Sequence, residues 1–252
     1  MNRFAPRWIL VLGALLFAGT ALASDSEFRI EPYLWAAGLS GTIGTPTSGS
    51  GLPEGGRIDA TFDDLADNLE LAGGGMISAE YRRKRWSFFG DWTYAHVRSE
   101  APSPLGQLFS GVEGNLKGHI VQGAAGYRVY GGEGWRVDAF AGARYYNLDL
   151  WIDLQAGLLE ARTSRVSPEW MDGLAGLRYE GLFGDHWVLG LQGDIGAGGS
   201  DFSWQGIASL GYRVSWGTIA GGWRHLKVDY ESGDTVADLA LSGPFFGVVF
   251  RF

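Results

Sequence analysis

The chain has 252 residues, a formal net charge of −8 and no cysteine. Disulfides and thiolate metal sites are thereby excluded, and the acidic balance is wrong for a nucleic-acid partner. No segment approaches the roughly 18 consecutive apolar residues of a membrane-spanning helix.

The N-terminus reads as an export signal. Arg3 and Arg7 precede an apolar stretch from Trp8 to Ala18, followed by Ala21-Leu22-Ala23. A basic region, a short apolar region and a small-x-small site make residues 1–23 a cleavable secretory signal peptide. No Cys follows the site, so a lipid anchor on Cys is excluded. Cleavage takes away two positive charges and no negative one, leaving 18 basic and 28 acidic residues, a net of −10.

Residues 24–252 form the remaining domain. Alternating segments run at about 28–41, 71–82, 86–99, 116–130, 135–150, 169–183, 187–198, 203–215, 218–231 and 239–252, each with the period of two that marks a strand. The connections alternate in length. Arg83-Lys84-Arg85, Gly131-Gly132-Glu133-Gly134, Gly184-Asp185-His186 and Trp216-Gly217 are short, whereas 42–70, 100–115 and 151–168 are long.

Each segment has one apolar face. In 86–94, Trp86, Phe88, Trp92 and Tyr94 alternate with Ser87, Asp91 and Thr93. In 135–145, Trp135, Val137, Ala139, Ala141, Ala143 and Tyr145 alternate with Arg136, Asp138, Phe140, Gly142 and Arg144. The segments 187–195 and 204–214 repeat the pattern. Aromatics at the ends of these faces suit the two water interfaces of a bilayer. A soluble barrel or sandwich would also have one apolar face. Its water-facing side would be expected to carry more Lys than Lys84, Lys117 and Lys227. With no spanning helix, a chain in lipid must close its sheet to satisfy every backbone group. The expected fold is therefore all-β: a closed antiparallel transmembrane β-barrel of about ten strands, with short periplasmic turns and longer outer loops.

The last segment supports this. Phe252, Phe250, Val248, Phe246 and Pro244 lie on one face, and Arg251, Val249, Gly247, Phe245 and Gly243 on the other. A closing strand with an apolar outer face and a terminal aromatic resembles the C-terminal signal of bacterial outer-membrane barrels, with Phe250 and Phe252 as the membrane-assembly signal.

Segment 42–70 breaks the strand pattern. Thr61 and Asp64 are spaced as a capping box. Phe62, Leu65 and Leu69 then share one helical face, opposite Asp63, Asp67 and Glu70. A short amphipathic helix at 61–70 in the first outer loop is expected. It needs a docking surface and would either cover the barrel mouth or plug it.

Several runs resemble a group of uncharacterised outer-membrane β-barrel proteins of Gram-negative bacteria. They are Pro32–Gly41 (PYLWAAGLSG), Phe62–Leu69 (FDDLADNL), Trp170–Tyr179 (WMDGLAGLRY), Gly193–Gly196 (GDIG), Ser200–Gln205 (SDFSWQ), Gly222–Tyr230 (GWRHLKVDY) and Gly243–Gly247 (GPFFG). The resemblance covers most of residues 24–252. It implies the fold and the outer-membrane location, and no catalytic or binding residue.

The inward faces carry the chemistry. By alternation the inward acids are Glu31, Glu80, Asp91, Asp138, Asp172, Glu180 and Asp194. The inward bases are Arg29, Arg128, Arg136, Arg144, Arg178, Arg213, Arg224 and Arg251, all Arg and none Lys. Arg keeps its charge and makes bidentate pairs with carboxylates, and unpaired charges in a narrow lumen are costly. These residues either brace a filled interior or line a narrow path for small anions or polar solutes. About eight strands leave a filled interior and about 16–18 leave an aqueous channel, so ten argues against a large porin. Inward Gly142, Gly176, Gly190, Gly211 and Gly222 free some volume or make room for Arg.

An outer-rim hydrolase would need His with a carboxylate. His186 falls in a periplasmic turn, whereas His96 and His225 share the lipid-facing side with Trp92 and Trp223. The expected function is a non-enzymatic structural or interaction barrel, with a narrow channel and an outer-rim hydrolase as the alternatives. No cofactor or metal is expected. The expected partners are outer-membrane lipid and lipopolysaccharide, with the barrel-assembly machinery and periplasmic chaperones during biogenesis, and the expected state is a monomer.

Overall fold

The computed structural model describes residues 26–44, 56–60, 70–101, 109–156, 162–232 and 235–252. The strands are β1 (Ser26–Trp35), β2 (Gly38–Gly44), β3 (Gly56–Ala60), β4 (Glu70–Arg83), β5 (Trp86–Ala101), β6 (Phe109–Gly132), β7 (Trp135–Ala156), β8 (Arg162–Val166), β9 (Glu169–Phe183), β10 (Trp187–Gly198), β11 (Phe202–Val214), β12 (Gly217–Ser232) and β13 (Thr235–Arg251). They pair antiparallel in the order β1-β4-β5-β6-β7-β9-β10-β11-β12-β13, and β13 returns to β1. The result is the closed ten-strand barrel the alternation implies.

The three other strands extend the wall. β2 carries the β1 ladder along the outer half of β13, from Gly38 opposite Ser242 to Gly44 opposite Val236. The break at Ala36–Ala37 has a cause in sequence. Ala36 N–H donates to Pro244 O at 2.9 Å, and Pro244 has no N–H to return the bond. β3 pairs with β2, and β8 with the outer part of β7. β6 and β7 have 24 and 22 residues, about twice the 9–11 a tilted strand needs to span a membrane. Their paired ends project beyond the bilayer.

One end of the barrel is closed by tight turns at Lys84-Arg85, Glu133-Gly134, Gly184–His186 and Ser215-Trp216. Lys84, Gly134 and Gly184 have φ of 56°, 80° and 58°, as short hairpin turns require. The described strands β1 and β13 begin and end there. By the short-turn rule this is the periplasmic end.

Alternation sets the faces. Leu177, Leu191 and Leu210 are exposed at mid-barrel, which is the arrangement for lipid and not for water. At the periplasmic level Trp86 meets Tyr127 at 5.0 Å, Trp187 meets Tyr212 at 5.1 Å and Trp216 meets Phe250 at 6.0 Å. At the outer level Tyr94 meets His119, and Trp204 meets His225, each at 4.6 Å. These two rows are the interfacial girdles. The expected signal peptide (1–23) lies outside the described residues. So does the expected helix at 61–70, with Phe62, Leu65 and Leu69, except that Glu70 opens β4 as a strand.

Candidate functional site: the barrel interior

The interior is stratified. Its periplasmic half is a network of charges that cross the lumen. Arg29 on β1 reaches Glu180 on β9 at 2.7 Å, and Arg136 meets the same carboxylate at 2.6 Å. Arg82 bridges Glu80 and Asp138, both at 2.8 Å. Arg178 pairs with Glu80 at 3.0 Å and lies 3.9 Å above the Phe89 ring. Arg128 reaches Asp138 only at 4.0 Å, and Arg251 reaches Glu27 at 3.5 Å.

The middle layer holds two further charge pairs. Arg144 and Asp194 pair at 2.6 Å with neither side chain exposed. Gln122 accepts from Arg144 at 2.7 Å, and Gln205 donates to Asp194 at 3.1 Å. Arg224 meets Asp91 at 3.1 Å and donates to Tyr33 Oη at 2.7 Å. Tyr33 in turn donates to Asp91 at 2.7 Å. Such charges are tolerable only because each is paired and hydrogen-bonded.

The outer layer is apolar. Tyr146 stacks on Trp170 at 4.7 Å, and Trp170 on Tyr230 at 4.3 Å. Leu226, Val228, Ile120 and Trp35 pack with them into one buried cluster. Trp35 also lies 4.6 Å beneath the Arg224 guanidinium.

Three of the charged residues singled out by alternation have no ion pair among the described residues. Asp172, fully buried, instead takes four hydrogen bonds: from the N–H groups of Gly199 (3.1 Å) and Ser200 (2.8 Å) and the hydroxyls of Ser200 (2.6 Å) and Ser203 (2.9 Å). It ties down the β10–β11 outer turn. Glu31 lines a cavity of about 200 Å³ shared with Asp91, Arg178, Gln205 and Arg224. Arg213 stands at the periplasmic mouth. Of the inward glycines, Gly190 and Gly211 line the same cavity as Glu31, as residues that free volume should, whereas Gly176 and Gly222 serve neighbouring groups. A Cβ on Gly176 would lie 2.3 Å from Gly193 O and 2.6 Å from the Phe140 ring, and one on Gly222 would lie 2.0 Å from Ala208 O. They clear space for neighbouring backbone and phenyl rings and not for arginine.

Sequence alternation also contained signals that the charge pattern alone overlooks. Arg82 has the parity of Glu80. Tyr33 and Trp35 have that of Arg29, Phe89 that of Asp91, and Trp170 that of Asp172. Parity thus places these large side chains inside.

Among the described residues no His is hydrogen-bonded to a carboxylate, and His119 and His225 sit in the outer girdle. The His96 side chain lies outside the described residues. At the outer rim, Arg165 and Ser167 donate to Asp149 at 2.6 Å and 2.7 Å. Those hydrogen bonds, Arg165 first, hold its carboxyl below the ordinary range.

No protein-family model matches the sequence, and no curated relative matches it. Solved structures of similar fold are outer-membrane barrels. The outer membrane protease OmpT of Escherichia coli is 9% identical, with 90% of this chain and 97% of that chain covered and a TM-score of 0.53. The translocator domain of the autotransporter NalP from Neisseria meningitidis is 15% identical over 91% and 89%, with a TM-score of 0.48. Ail, the attachment invasion locus protein of Yersinia pestis, in complex with the heparin analogue sucrose octasulfate, is 11% identical over 91% and 100%, at 0.36. A likeness at this level of identity shows the fold and carries no activity with it. The fold is that of a small outer-membrane β-barrel, and the exposed apolar belt between two aromatic girdles suits a chain resident in the outer membrane.

Proposed function

We propose that this protein is a non-enzymatic structural or interaction barrel whose interior is closed to ion flow. The observation that carries this reading is the layering of the lumen. Ion pairs span its periplasmic half, Arg144 and Asp194 are wholly buried at its middle, and the Tyr146–Trp170–Tyr230 stack lies above them. The cavity of about 200 Å³ reaches from Arg251 to Arg224, so a conducting path would have to part the pairs at the middle and the aromatic stack above them. Interaction would then fall to the strands that rise past the outer girdle, chiefly β6 and β7.

The reading includes export on the signal peptide at residues 1–23, assembly by the barrel-assembly machinery with periplasmic chaperones, and residence as a monomer among outer-membrane lipid and lipopolysaccharide. Planar-bilayer recording of the refolded full chain tests the closed interior. The expected trace has no unitary current steps. Reproducible steps would replace this reading with that of a narrow channel.

A further inference from the structure

At the periplasmic mouth, charge and hydrogen bonding are left incomplete on one arc of the wall. Arg213 near the end of β11 lies opposite Thr218 on β12, Thr218 lies opposite Val249 on β13, and Arg251 is the next inward residue of β13. Arg251 in turn lies directly opposite Arg29 on β1. Like charges opposed across a ladder destabilise it.

The acids at this level do not compensate. Glu180 is taken by Arg29 and Arg136. Glu27 lies 2.5 Å from Arg29 and only 3.5 Å from Arg251. Arg213 has no carboxylate within ion-pair distance among the described residues, and its charge bears on Arg251 together with that of Arg29. Three buried polar atoms here lack hydrogen-bond partners: Arg213 Nε, Arg251 Nε and Thr218 Oγ1. Thr218 is only 2% exposed. Buried donors without acceptors are rare in native proteins, and each calls for a partner.

We propose that this arc binds an oxyanion of the phosphate class between Arg213, Arg251 and Thr218. Two guanidiniums and a hydroxyl supply the forked donors and the neutralising charge that a phosphate group requires. The group can belong to free phosphate or to the headgroup of an anionic phospholipid in the adjoining leaflet.

The test uses the refolded full chain in uncharged detergent at constant ionic strength set by chloride. Inorganic phosphate is titrated in one arm, and phosphatidylglycerol is added to phosphate-free micelles in the other. A saturable rise in Tm of about 2–4 °C is expected in at least one arm. A response to phosphate identifies a free anion as sufficient; a response to the lipid alone identifies the headgroup. Arg213→Gln should raise Tm in chloride by relieving the repulsion, and should abolish the response. Thr218→Val should weaken the response, and Lys84→Gln in the β4–β5 turn, whose β5 stands four strand places from β12 around the wall, should leave it intact. No rise beyond that in chloride, or a response retained in Arg213→Gln, would overturn the site. Should Arg213→Gln fail to refold, the 15N shifts of the Arg213 and Arg251 Nε in the unaltered chain decide. They move with the anion if the site exists and stay fixed if it does not.

Discussion

Arg29 on β1 and Glu180 on β9 meet at 2.7 Å although their strands stand five places apart around the ten-strand wall. The contact crosses the full width of the barrel. Replacing Glu180 with Gln leaves Arg136 with only Asp138, at 3.9 Å, and Arg29 with only Glu27. A loss of about 3–5 kcal/mol is expected, since breaking a buried pair strands an uncompensated charge. Urea refolding titrations in detergent would measure it. The double change Arg29→Met, Glu180→Leu should cost less than Glu180→Gln alone, and a larger loss in the double variant would refute the pairing argument.

Trp170 is buried between two tyrosines, yet its indole N–H has no hydrogen-bond partner. Trp170→Ala should therefore destabilise the barrel by about 3–5 kcal/mol through the cavity it leaves. Trp170→Phe keeps a stacking ring and removes the orphaned donor, so it should fall within about 1.5 kcal/mol of the parent. Equal losses in the two variants would mean that the N–H, not the ring, matters.

Leu191 is 44% exposed on the outer face at mid-strand. Leu191→Arg should cost about 2–4 kcal/mol, the penalty for a charge facing lipid at the bilayer midplane. Leu191→Met should be close to neutral. A mild arginine variant would place this face in water.

Phe252 closes the barrel. Its N–H donates to Phe28 O at 2.8 Å, its O accepts from Phe28 N–H at 3.0 Å, and the two rings lie 6.5 Å apart. Deleting it removes two hydrogen bonds from the β1–β13 seam and one exposed ring of the periplasmic girdle. Lower outer-membrane levels and loss of heat-modifiable gel mobility are expected. Normal levels with normal mobility would rule out a role in assembly.

The outer rim gives a pH dependence with a defined sign. Asp149 titrates below its ordinary value of 3.8 because Arg165 and Ser167 hydrogen-bond the carboxylate. A group whose folded pKa is depressed stabilises the fold above its unfolded pKa, and that contribution fades as pH falls through the folded value. Carboxyl 13C shifts should show Asp149 titrating below a typical Asp. Arg165→Gln should bring it back toward the ordinary value. The effect on overall stability should be small, because Arg165 is fully exposed and solvent screens the pair.

Much of the molecule was legible in the sequence because a strand repeats every two residues. That period assigned Trp86 and Phe88 outward and Ser87 and Asp91 inward, and it separated short turns such as Lys84-Arg85 from long outer connections. Closure followed from the same pattern, since an apolar outer face without a spanning helix leaves no other way to satisfy the backbone in lipid. Partner choice inside the lumen was not legible. Alternation says that Arg29 and Glu180 point inward, but their meeting depends on the stagger of strands around the whole wall, a property no single strand encodes. The outer aromatic layer was hidden for a related reason. Trp170 looks like a girdle residue by type and an interior residue by its parity with Asp172, and only the folded barrel brings Tyr146 and Tyr230 to its two faces. Likewise, sequence supplies Arg213 and Arg251 as two more inward cations. Their incomplete hydrogen bonding emerges only when β11, β12, β13 and β1 are set side by side, with Glu180 taken by Arg29 and Arg136 and Glu27 shared between Arg29 and Arg251.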